Sequence, residues 1–108
     1  MNPFGDLRRA DASEVELIRL CGEHIANHAA YNADCSGLEP GDNPLWHAYL
    51  RTYRAIRDAV PQTLVGIVAK ARATKAEATN PDGTVEPEDA TDWAWDLVED
   101  LIRLGDAD

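Results

Sequence analysis

Residues 92–104 read DWAWDLVEDLIRL. At about 100° per residue, Trp93, Leu97, Leu101 and Leu104 fall on one side of a helix. Ala94 and Val98 widen that side, and Trp95 and Ile102 mark its far edge. Asp92, Asp96, Glu99, Asp100 and Arg103 take the remaining positions. The period is that of an α-helix and not the alternation of a strand. The apolar arc is wider than a surface helix of a small domain needs. Either this helix is central, or its Trp95 and Ile102 edge meets a partner.

Working outward, the same period recurs along the chain. Turn residues Asn80-Pro81-Asp82-Gly83 precede this segment, which is expected to be helical from about Glu88 to Leu104 and to end at Gly105. Before that turn, Thr63 can cap a third helix over LVGIVAKARATKAEA, which is rich in alanine and poor in bulky contacts. Pro61 separates it from a second helix, because proline has no amide hydrogen to give. That second helix opens with an Asn43 cap and Pro44 in its first turn. Its apolar stripe is Trp46, Tyr49, Tyr53, Ile56 and Val60. Gly37, Pro40 and Gly41 punctuate the loop before it. The first helix is expected from Ala12 or Ser13 to about Ala33, with Ser13 and Glu16 in a capping-box pattern.

The expected fold is therefore all-α: a compact bundle of about four helices in a single domain over 1–108. Flexible ends are expected at about 1–11 and 105–108, and the third helix is expected to add least to the core. The expected core is Leu17, Ile18, Cys21, Ile25, Trp46, Tyr49, Tyr53, Leu64, Ile67, Trp93, Leu97 and Leu101. At 108 residues, with 44% hydrophobic and 28% charged residues, one modest core is feasible without covalent staples. No apolar run approaches the roughly 20 residues of a membrane helix. The N-terminus shows no apolar signal core. A cytoplasmic location without membrane association is expected, with two free thiols.

The net charge of −10 is concentrated at one end. Met1 to Ala76 holds nine acids and nine bases, whereas Glu77 to Asp108 holds eleven acids against Arg103. Within Arg51 to Ala76 the balance reverses, with six bases against Asp58. That layout suggests internal pairing or two oppositely charged faces.

Residues 21–35, CGEHIANHAAYNADC, look the most chemical. Cys21, His24 and His28 lie on one helix face, and Cys35 could fold back as a fourth zinc ligand. Against this, Cys21 and His28 share the apolar stripe with Leu17 and Ile25. A buried thiol and a hydrogen-bonded histidine, for example bonded to Tyr49 or Tyr53, account for the same pattern. No phosphate-binding, dinucleotide-binding or serine-nucleophile motif is present. No cofactor and no enzymatic activity are expected.

RLCGEHIANHAAYN (19–32), PLWHAYLRTYRAI (44–56), PQTLVGIVAKARATKAEATNPDG (61–83) and DWAWDLVEDLIRL (92–104), in this order, resemble a group of small phage or prophage proteins of alphaproteobacteria. The resemblance covers about Glu16 to Leu104. It implies a phage-related setting and a short helical fold, but no activity and no site residues. With the charge layout, it frames the expected role: a non-enzymatic interaction protein with a host or phage protein as partner, or a homo-oligomer. Its contact residues would be Asp92, Trp95, Asp96, Glu99, Asp100 and Ile102. A sharper form is an anti-CRISPR-like inhibitor whose acidic helix occupies the basic groove of a host nucleic-acid-binding complex. Two alternatives stand beside it. One is a small zinc-binding domain on Cys21, His24, His28 and Cys35. The other is a nucleic-acid binder using basic residues of the second and third helices, which the overall negative charge opposes.

Overall fold

The computed structural model describes residues 12–106. Of the flexible ends expected over about 1–11 and 105–108, residues 1–11 and 107–108 lie outside the described residues, whereas Gly105 and Asp106 belong to the last helix. Four helices follow in order: α1 (Ala12–Asn32), α2 (Pro44–Asp58), α3 (Leu64–Glu77) and α4 (Thr91–Asp106). Short 3₁₀ turns at Pro40–Asp42 and Pro87–Ala90 lead into α2 and α4. Thr79 and Val85 form an isolated antiparallel bridge that closes the Asn80–Gly83 turn, where Gly83 takes φ +89°. Only glycine adopts that backbone without cost. The described residues form an all-α four-helix bundle, as their periodicity requires.

The caps are where the turn residues place them. Asn43 accepts from the Leu45 amide, with Pro44 at the start of α2, and Thr63 accepts from the Gly66 amide at the start of α3. Each side chain satisfies an amide that the first helical turn leaves open. The Ser13 cap of α1 lies outside the described side chains. The last helix begins at Thr91 and not at Glu88, because 87–90 wind as a tighter 3₁₀ turn. It runs through Gly105 and Asp106, beyond the expected stop.

The expectation that α3 contributes least is overturned. This helix packs against both α1 and α4, and it buries Gly66, Ile67, Lys70, Ala73 and Thr74. Its small residues do not weaken packing; they let neighbours come close. Gly66 shows why. A Cβ there would lie 2.5 Å from Oε1 of Glu14. That oxygen accepts from the backbone amides of Gln62 (2.8 Å) and Thr63 (2.7 Å) and from the Thr63 hydroxyl (2.8 Å). A buried carboxylate of α1 thus sits on the positive end of α3.

The core joins Leu17, Cys21, Ile56, Ala73 and Trp93, with Leu20 and Tyr53 packed against it. Ile67 is also buried, whereas Ile18, Trp46, Tyr49, Tyr53, Leu64 and Leu97 are half-buried. Three expectations fail. Ile25 (37% exposed) and Leu101 (51%) face outward, and Val60 (56%) lies past the end of α2. In their place the interior takes polar groups: His24, Thr52, Lys70 and Asp100.

Candidate functional site

The stretch 21–35 does not assemble a ligand set. Cys21 and His24 are buried, His28 is half-buried and Cys35 is exposed in the loop. The Cys35 thiol turns to the Ala33 carbonyl at 3.5 Å. The loop holds this shape because Asp34 accepts from Ser36 and Asn43. Among the described residues no group of three or more His, Cys, Asp or Glu side chains is placed to hold a metal ion. Burial pushes the Cys21 thiol up to about 11, with the nearby Lys70 charge opposing it. Cys21 therefore stays a neutral thiol at physiological pH, a poor ligand and a poor nucleophile. A disulfide-exchange reagent is expected to label one thiol per native chain, Cys35, and both in denaturant. Prompt labelling of both in the native protein would contradict the burial of Cys21.

His24 is the group that sequence periodicity undervalued. It is 0% exposed. Its Nδ1 lies 2.7 Å from Thr52 Oγ1 and its Nε2 lies 2.9 Å from Glu77 Oε1. Tyr49 donates its hydroxyl to the other Glu77 oxygen at 2.6 Å. Burial works to raise the Glu77 carboxyl, but hydrogen bonds from His24 and Tyr49 and the two neighbouring imidazoles outweigh it. The group lies below its ordinary range. With Glu77 ionised, His24 must donate through Nε2.

Hydroxyl, imidazole and carboxylate in this order have the connectivity of a catalytic triad. Access rules that reading out for this trio. Thr52 and His24 are both 0% exposed, and the Thr52 hydroxyl also lies 3.0 Å from the Tyr49 carbonyl of its own helix. No substrate carbonyl can reach it. The set is a satisfied polar core that ties α1, α2 and α3 together. The three residues lie 28 and 25 positions apart, which only the bundle closes.

The surface that stands out is α4. Trp93, Asp100 and Leu104 are buried, with Asp96 and Leu97 half-buried. This inward row is rotated from the one expected. Asp100 accounts for the rotation. Its carboxylate lies 3.5 Å from the ammonium of Lys70, which is itself 1% exposed, and accepts from Arg103 at 2.8 Å. Arg103 also donates to the Pro61 carbonyl. A buried lysine needs a counter-charge, so α4 turns an acid inward and an apolar row outward. Trp95 (62%), Val98 (43%), Leu101 (51%) and Ile102 (55%) form that row.

Of the six expected contact residues, Trp95, Ile102, Asp92 and Glu99 are exposed and Asp96 is half-buried. Asp100 is 5% exposed and paired, so it is withdrawn as a contact. Val98 and Leu101 were missed because the helical wheel put Leu101 in the core and Val98 on the same apolar arc. Among the basic residues of the middle segment, Lys70 is internal and Arg51 pairs with Glu23. Arg54, Arg72 and Lys75 are exposed and form no salt bridge among the described residues. No described helix is long and apolar enough to cross a membrane. No protein family, no curated protein and no solved structure matches the chain significantly.

Proposed function

We propose that this chain is a non-enzymatic cytoplasmic interaction protein, of the phage or prophage kind its sequence resembles, and that it works by binding another protein through the outer face of α4. The observation that carries the reading is the exposed row Trp95, Val98, Leu101 and Ile102 on a helix already anchored by Trp93, Asp100 and Leu104. An anchored helix has no folding reason to keep a second apolar face in water. Tryptophan with aliphatic neighbours suits a helix laid into an apolar groove. Asp92 and Glu99 flank the row and favour a partner with a basic border. In the inhibitor form of this reading, the partner is a host nucleic-acid-binding complex. Trp95 and Ile102 then anchor, and the acids steer, because a continuous acidic rail is lost with Asp100 turned inward.

The test is a pull-down from nuclease-treated host lysate with wild type and Leu101→Glu. The variant is expected to keep the wild-type melting temperature and to lose at least about tenfold in partner recovery, equivalent to about 1.4 kcal/mol. Equal recovery by both would place the contact elsewhere.

One observation favours a second reading, in which the ridge binds a second copy. A groove of about 490 Å³ between α1 and α3 has Ile25, Ala29 and Ala76 in its lining and carries Arg72 and Lys75. Its charge is opposite to that of the α4 ridge. A dimer mass in light scattering that falls to monomer with Leu101→Glu, with no other protein recovered, would favour this form.

A further inference from the structure

We propose that the cleft lined by Tyr31, Trp46, Tyr49, Tyr53 and Glu77 is a binding site for an organic cation, an alkylammonium or guanidinium group. The cleft encloses about 430 Å³, within the range of small-ligand pockets. Its lining shares no residue with the α4 ridge, and it does not depend on the function proposed for that face.

Its wall is aromatic. Tyr31 and Trp46 have ring centroids 5.3 Å apart, Trp46 and Tyr49 5.5 Å, Tyr31 and Tyr49 6.0 Å, and Tyr49 and Tyr53 6.0 Å. Ring faces carry negative electrostatic potential and attract a cation within about 6 Å. A single carboxylate completes the lining, and neither lysine nor arginine is part of it. That carboxylate has a side chain only 9% exposed. Tyr49 and His24 hold its two oxygens in place, and its carboxyl is held below the ordinary range despite burial. A fixed anion beside an aromatic wall repels an anionic ligand and gives a neutral apolar one nothing to pair with. The adjoining groove makes the contrast. It shares His28 and Asn32 with the cleft but carries Arg72 and Lys75 in place of acid and aromatics.

The chemistry is shared by free small cations and by lysine or arginine side chains of a protein. Three probes separate them: choline, N-acetyl-lysine methylamide and N-acetyl-arginine methylamide. The control is 3,3-dimethylbutanol, which has the shape of choline without its charge. In an NMR titration the methyl signal of bound choline is expected to move upfield in the ring currents. At least one cation should bind ten times more tightly than the neutral control. Tightest binding by choline points to a free cation, and tightest binding by a side-chain probe points to a protein-borne one. Trp46→Leu should abolish the effect, and Leu101→Glu should leave it unchanged. Glu77→Gln should erase the preference over the neutral control; if that variant does not fold, Trp46→Leu carries the test alone. Equal affinity for the control and the cations would leave an ordinary apolar cleft and overturn the proposal, as would no shift with any of the three cations.

Discussion

Trp93→Ala is expected to lose about 3–5 kcal/mol of stability, the cost of emptying a large buried aromatic site. Trp93 is 1% exposed. Its ring centroid lies 4.9 Å from that of Tyr53 and 5.2 Å from that of His24. It is therefore the plug that fixes α4 to α1 and α2, and its loss opens a cavity beside a polar network. Small domains have a margin of about 5–15 kcal/mol, so the midpoint should fall by on the order of 20 °C. Trp93→Phe should cost much less, because the indole N–H makes no hydrogen bond among the described residues. Urea and thermal unfolding measure both. A folded Trp93→Ala protein with a midpoint near wild type would refute the core assignment and, with it, the anchored state of α4.

Asp100→Ala is expected to cost as much, about 3–5 kcal/mol, for a different reason. The substitution removes little volume. It leaves the Lys70 ammonium, on a side chain 1% exposed, with the Ala59 carbonyl at 3.2 Å as its remaining partner. Removing both charges should be milder than removing one: Lys70→Met with Asp100→Leu is expected to recover much of the loss, because no uncompensated ion remains. Asp92→Ala and Glu99→Ala, at exposed positions, should fall within about 0.5 kcal/mol of wild type. If Asp100→Ala behaved like these two, α4 would have to face the other way. Asp100 would then return to the solvent face and Leu101 to the core.

These two positions show how much of the molecule could be read beforehand. Trp93 was legible, because a tryptophan flanked at helical spacing by leucines points inward in almost any bundle. Asp100 was not. A helical wheel ranks acids as outward, and it has no means of knowing that a lysine on α3, thirty residues earlier, will be buried opposite. That single error rotated the expected face of α4 and hid Leu101 and Val98 from the list of contact residues. His24 repeats the lesson inside the core. Its local spacing with Cys21 and His28 allowed a metal ligand or a hydrogen-bonded core histidine, but could not name its partners, Thr52 and Glu77, which come from two other helices.

The number of helices, their caps at Asn43 and Thr63, and the turn at Asn80–Gly83 are written in the chain itself. They depend on hydrogen bonds and periodicities a few residues long. Which charges enter the interior, which face of α4 is left in water, and the aromatic wall around Glu77 came only with the tertiary structure. Each depends on groups that are distant in sequence and meet only when the helices pack. Burial makes those meetings decisive, because a charge that costs little in water must find its partner once water is excluded.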